Sequence, residues 1–340
     1  MNCLKALIFP ALGLALTSAC EPASRTPAPA PEHSGTAKVE QSRSEKPDAK
    51  DVTNPVATVG GALPEKMDCV REAGGLLVAA HRGGPAPDYP ENAIETLQHG
   101  YDAGIRVFEI DVAESEDGQL LLMHDRSLGR TTTGSGAVAD ATWTELSKLD
   151  LVDNEGTVTG YGIPTLQDTL AWAVSTNAIL ELDRKETTSF RNIIKAVRSA
   201  KAANNVILIT YNDDEALQVA TLAPDMMMTA GIGGKDHEAK MVDAGLDPEM
   251  LIAWTGTERP NPGKWRALAA KGIESAFGTL GRENERLDDI YWADDDPSEY
   301  EQLVEAGLVL LATDEPYRLV HAKGLVGDAI EIANETCLQD

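Results

Sequence analysis

The feature that most constrains this chain is an alternation. Short apolar runs of strand type recur at residues 76–80, 105–111, 120–124, 178–183, 206–211, 226–230, 250–254, 273–277 and 308–312. Most are separated by amphipathic stretches of helical period, at 91–103, 190–203, 215–222, 264–271 and 297–306. Apolar runs of this length predict buried strands, and helix-length spacers predict parallel pairing through helical crossovers. The gap between the second and third runs is the exception, because Asp117-Gly118 leaves room only for a tight return. Nine runs less that return leave eight, the strand number of a (β/α)8 TIM barrel, an α/β fold whose active site lies at the carboxyl ends of its strands. The Gly/Thr-rich stretch 131–136, after the His124 strand and before Pro164, is read as part of a small insertion over that face.

The flanks read differently. Residues 1–20 hold a single charge, Lys5, then an apolar run over 6–16 and small residues before Cys20. This pattern describes a secretory signal peptide and is too short for a comfortable spanning helix. Ser18-Ala19-Cys20 also resembles the bacterial lipobox, which implies lipidation of Cys20 and an exported lipoprotein anchored to a membrane, facing the periplasm or cell surface. Residues 21–65 are rich in Pro, Ala, Ser, Glu and Lys and hold too few apolar side chains to offset the entropy of ordering, so they predict a semi-extended linker. A barrel domain is expected at 66–330 and a C-terminal tail at 331–340. Cys69 and Cys337 bracket the domain, and in an exported chain they suggest a disulfide, the other reading being two solitary thiols on frayed ends.

Charge excludes some functions. The net charge is −26, and residues 66–340 carry 23 basic against 48 acidic side chains. Such a surface repels nucleic acid and anionic headgroups, which argues against a nucleic-acid binder, and no protein partner is evident. A phosphate-ester substrate would need a local reversal of this field.

The polar residues fall at the ends of the apolar runs. The first ends in His81-Arg82-Gly83-Gly84, the second contains Glu109-Ile110-Asp111, the returning run ends in His124-Asp125, and the next reads Glu181-Leu182-Asp183-Arg184-Lys185. Residues two apart on a strand share a face, so Glu109 pairs with Asp111, and Glu181, Asp183 and Lys185 form a second row. Carboxylates are hard ligands suited to Ca²⁺ or Mg²⁺, and histidines beside them are suited to proton transfer. An isolated Glu-x-Asp is usually a solvated pair, but one set in Val-Phe-Glu-Ile-Asp-Val is costly to bury without a cation. His33, His99, His237 and His321 are read as surface or satisfied core residues. Trp254 and Phe277 either line the mouth or pack in the core, and Asn92 either serves the site or simply caps the helix after it.

Taken in order, these residues resemble the glycerophosphodiester phosphodiesterase family over about residues 76–317. The landmarks are Ala80-His81-Arg82-Gly83, Pro90-Glu91-Asn92, Glu109-x-Asp111, Asp117-Gly118 leading into His124-Asp125, and Arg130-Thr131-Thr132 before Gly134-x-Gly136. Ile163-Pro164-Thr165-Leu166, the Glu181 strand and Thr313-Asp314-x-Pro316 follow. The resemblance implies a (β/α)8 barrel with His81 and His124 as catalytic acid and base. It implies one divalent metal ion, Ca²⁺ or Mg²⁺, on Glu109, Asp111 and Glu181, with Arg82 binding phosphate. The family has Lys two residues after the last of these Glu residues. Here that position is Asp183, and Lys185 comes one strand repeat later; either Lys185 reaches the same phosphate from the same face or the substrate preference differs from the family's. Asp183, Lys185 and Trp254 are therefore placed with Arg82 on the substrate side. The implied activity is metal-dependent hydrolysis of glycerophosphodiesters to an alcohol and glycerol phosphate. The alternatives are a phospholipase-type phosphodiesterase acting on lipid headgroups, and a non-catalytic surface lipoprotein that binds a phosphopolyol.

Overall fold

A computed structural model describes residues 62–234 and 236–339. The expected signal and linker as far as residue 61, with Cys20 as the expected lipidation site and His33, lie outside the described residues. The strands are β1 (Leu77–Ala80), β2 (Val107–Glu114), β3 (Leu120–Leu122), β4 (Asp150–Val152), β5 (Val158–Gly162), β6 (Ile179–Arg184), β7 (Val206–Ile209), β8 (Met227–Gly231), β9 (Leu251–Trp254), β10 (Glu274–Gly278) and β11 (Leu310–Thr313). Eight of them, β1, β2 and β6 to β11, pair in parallel, and a β1–β2 pairing closes the ring. The structure is thus the expected (β/α)8 barrel. β3 folds back antiparallel on β2, Leu122 opposite Val112, through the turn at Gly118, where φ is 85°.

Alternation along each strand makes two cores. Inward residues Leu77, Val107, Ile179, Ile207, Met227, Ile252, Ala276 and Leu310 fill the barrel, while outward residues such as Phe108, Ile110, Leu180 and Leu208 pack under the helices. The insertion after β3 carries the β4–β5 hairpin and a core of its own, built on Leu128, Val138, Leu146, Leu151 and Ile163. Gly134 packs closely there: a Cβ would stand 2.5 Å from Leu149 Cδ1, so that side chain would have to move aside.

The amino ends of the strands are closed by a helix, Leu63–Ala73, whose Leu63, Met67 and Val70 enter the inner core. Each such side chain contributes roughly 1.5–3 kcal/mol on full burial. The linker boundary expected at 65/66 therefore moves back: the helix starts at Leu63, with Pro64 in its first turn, where a missing N–H costs nothing. Arg71 Nε of the same helix donates to Glu274 Oε1 at 2.9 Å. The expected tail is a second correction. The helix Leu325–Glu331 runs on into a π-helical segment, Ile332–Cys337, that buries Ala333 and Cys337 against the floor, and Asn334 Nδ2 donates to Gly104 O at 2.9 Å. Cys69 and Cys337 are joined in a disulfide with Cα atoms 5.5 Å apart. Among the described residues no helix is long and apolar enough to cross a membrane.

Candidate active site

The chain leaves β1 through three consecutive left-handed residues: Arg82 at φ 52°, Gly83 at 84° and Gly84 at 75°. Glycine adopts this region freely, and at Gly83 a Cβ would also stand 2.8 Å from Leu97 Cδ2. Arg82 adopts it at a cost of about 1 kcal/mol. In return its backbone N–H is aimed inward and donates to Glu109 Oε2 at 2.7 Å. The strained turn thus sets His81 and Arg82 on the rim and braces the first carboxylate.

The carboxylates come from two neighbouring strands in register, Glu109 opposite Glu181 and Asp111 opposite Asp183. Glu109, Asp111 and Asp183 are buried, each with an oxygen within 4.8 Å of the others'. Of the expected ligands, Glu109 and Asp111 stand in this cluster together with Asp183, expected on the substrate side, while Glu181, opposite Glu109, lines the same cleft. Glu181 sits one pleat nearer the floor, where burial pushes its carboxyl up to about 7. Burial, then the charges of Asp111 and Asp183, push Glu109 up as well. Asn92 is no helix cap. It is itself buried at φ 59°, its Nδ2 donates to Asp111 Oδ2 at 2.7 Å, and its Oδ1 accepts from the Asp111 N–H at 2.9 Å. Tyr211 donates its hydroxyl to Asp183 Oδ2 at 2.8 Å, and Lys185 Nζ meets both Asp111 and Asp183. Asp183 Oδ1 is buried with no hydrogen-bond partner. A hard-oxygen cluster with an orphaned lone pair fits a divalent cation such as Ca²⁺ or Mg²⁺.

Each rim histidine is held by a carboxylate at Nδ1. His81 Nδ1 lies 2.6 Å from Asp314 Oδ1, and His124 Nδ1 lies 2.7 Å from Asp125 Oδ1. Asp314, after β11, is fixed by Arg286 Nη1 at 2.9 Å and the Gly281 N–H at 3.1 Å. Burial raises its carboxyl, but His81, Gly281 and Arg286 together hold it down at about 2. His124 Nε2 stands 2.9 Å from Arg82 Nη2. Guanidinium can only donate, so Nε2 is the acceptor and the proton resides on Nδ1, toward Asp125.

That contact closes a ring of charges. Arg82 reaches Glu91 Oε2 at 3.1 Å, Arg130 binds both Glu91 oxygens at 2.7 and 2.8 Å, and Arg130 also binds Asp125 at 2.7 Å. Burial would raise Glu91, yet Arg130 and Arg82 hold it below the usual range; Arg130, then His124, hold Asp125 far below it. Arg82, expected on phosphate, is here tied to Glu91 and His124.

A cleft of about 390 Å³ joins these groups. His81, His124, the four carboxylates and Lys185 line one side, and Ile209, Trp254, Leu280 and Ala312 the other. Trp254 thus lies in the cleft, whereas Phe277 packs on Trp265 in the outer core. A second, polar cleft of about 710 Å³ opens on the far side of His81, beneath the turn between β4 and β5. The other described histidines are engaged elsewhere: His99 stacks on Tyr89, His237 pairs with Asp213 and His321 meets Tyr317 O.

Comparison with known proteins gives the following. Residues 81–242 match the Glycerophosphoryl diester phosphodiesterase family model. A Glycerophosphodiester phosphodiesterase of Caldanaerobacter subterraneus is 25% identical over 251 residues, covering 72% of this chain and 96% of that protein. An uncharacterised protein of Bacillus subtilis is 29% identical over 153 residues, and this chain spans only 63% of its length. Among solved structures, a Glycerophosphoryl diester phosphodiesterase from Parabacteroides distasonis superposes with a TM-score of 0.68 at 25% identity, covering 80% of this chain and 92% of that one.

Proposed function

We propose, from the premise that this chain carries a glycerophosphoryl diester phosphodiesterase family domain, that it hydrolyses glycerophosphodiesters to an alcohol and glycerol phosphate. One observation carries the reading: two rim histidines, each fixed at Nδ1 by a carboxylate, share one cleft with a buried carboxylate cluster.

A base and an acid at the reacting phosphate are what the two imidazoles supply. One Nε2 takes a proton from the attacking oxygen, of water or of the neighbouring glycerol hydroxyl, as its bond to phosphorus forms, and the other Nε2 gives a proton to the leaving alcohol oxygen as the P–O bond breaks; where the glycerol hydroxyl attacks, water then opens the cyclic ester with the two histidine roles exchanged. Asp314 and Asp125 keep each ring oriented and stabilise it when it carries charge. Glu109, Asp111 and Asp183 would hold a divalent cation, with Asn92 fixing Asp111 from behind. The chemistry supplied by such an ion is positive charge against a phosphate oxygen, which reverses the protein's negative field locally. Arg82, beside His124, and Lys185, beside Asp111 and Asp183, are the side-chain cations that would bind the same phosphate. Ile209, Trp254 and Leu280 form the apolar wall that limits water on the other side.

The test is release of alcohol from a panel of glycerophosphodiesters, with and without EDTA. Chelator-sensitive release supports the reading, full turnover in excess EDTA removes the metal from it, and ligand retention without hydrolysis favours a binding protein.

Export is part of the same proposal. The pattern of residues 1–20 supports it, as does a disulfide, which persists in oxidising compartments. A membrane fraction that loses the protein on Cys20→Ser supports the lipid anchor, and an unchanged distribution overturns it.

A further inference from the structure

The carboxylate cluster already has a positive neighbour. Lys185 Nζ stands 2.5 Å from Asp111 Oδ1 and 2.6 Å from Asp183 Oδ2. Its backbone is fixed, because the Lys185 N–H donates to Val112 O at 2.9 Å. The flexible four-carbon stem can still carry the ammonium elsewhere.

Charge and lone pairs do not balance with this ammonium alone. Glu109, Asp111 and Asp183 bring three carboxylates to one cation, and Asp183 Oδ1 stays buried without a partner. A divalent cation would balance them better, but its approach to Asp111 and Asp183 brings it onto oxygens that Lys185 occupies. Two like charges on the same oxygens repel strongly in so buried a place. We infer that Lys185 is the resident counter-ion of the cluster, and that a divalent cation displaces its ammonium toward the barrel mouth. The inference rests on reading the cluster as a divalent-cation site. It gives the unusual row Glu181, Asp183, Lys185 a physical meaning: the ammonium keeps the metal-free barrel folded and becomes available to phosphate once metal is bound.

The experiment is calorimetric titration of the full chain with Ca²⁺ and with Mg²⁺, for wild type and Lys185→Met, alongside thermal melts in EDTA. Lys185→Met is expected to bind metal at least ~10-fold more tightly and to melt lower in EDTA, because the competing charge and the counter-charge are the same group. A dissociation constant within about two-fold of wild type, or a weaker one, overturns the inference. Should Lys185→Met fail to fold, the wild-type protein decides through reductive methylation read by mass spectrometry. Labelling of Lys185 is expected to rise several-fold when metal is added, and an unchanged rate overturns the inference. Metal binding that ignores Lys185 removes this inference alone, whereas no binding to either protein removes the cation site as well.

Discussion

The two ends of the barrel both bury charge, and they treat it in opposite ways. On the floor, Glu274 is 2% exposed and meets the guanidinium of Arg71, whose other acidic neighbours, Asp68 and Glu72, are half-exposed or more, so the one carboxylate buried there has a cation to itself. At the mouth, Glu109, Asp111, Glu181 and Asp183 are each no more than 8% exposed, and one ammonium reaches two of them. Burying an ion costs several kcal/mol unless its partner is well placed. A matched pair is what folding alone selects. An excess of one sign is kept only where something of the other sign is to be bound.

Altering one end at a time sharpens this contrast. The largest effect is expected from Asp111→Asn, which should cost roughly 100- to 1,000-fold in turnover while the melting temperature holds or rises. A folded, fully active variant would mean that the excess charge has no role. On the floor, replacing both Cys69 and Cys337 with Ser should cost ~2–5 kcal/mol in urea unfolding and leave turnover at 25 °C unchanged. Arg71→Ala should cost about 3 kcal/mol by stranding Glu274, again with normal turnover; lost activity in the folded variant would show that the two ends are coupled. His81→Ala and His124→Ala should each lose at least ~100-fold in turnover with melting curves close to wild type.

The smallest effect concerns acid stability. Asp314 titrates at about 2 in the folded chain, below the ordinary carboxyl value of about 3.9. The folded state therefore binds fewer protons there, so the stabilisation is present above about pH 4 and is lost as pH falls through 2. Asp314→Asn should flatten the stability curve in that window by about 1 kcal/mol, measured as unfolding free energy against pH.

The barrel was legible because each strand carries its own signal, and His81, His124, Glu109 and Asp111 were legible because they sit at the ends of such strands. Register was not. Glu181 and Asp183 share a face, and which of them stands level with Asp111 depends on how β6 docks on β2, which no local pattern encodes. Asp314 was visible as a landmark, yet its bond to His81 joins residues 233 positions apart and exists only once the barrel closes. Asn92 looked like a cap because helix starts favour Asn, whereas its left-handed backbone turns the amide to Asp111. The floor helix had a readable signal in Leu63, Met67 and Val70, spaced four and three apart, with Pro64 at its start. The polar composition upstream masked it.

The Cys69–Cys337 bridge makes the domain a loop in the covalent sense, with 268 positions between its two ends. A single peptide-bond break anywhere in that span, for instance in the turn between β4 and β5 above the second cleft, would not separate the molecule into two pieces. Both fragments would stay tied at the floor, eight strands still bound to their neighbours. A protease in the surroundings would have to cut twice, or be joined by a reductant, before any part of the catalytic face could diffuse away.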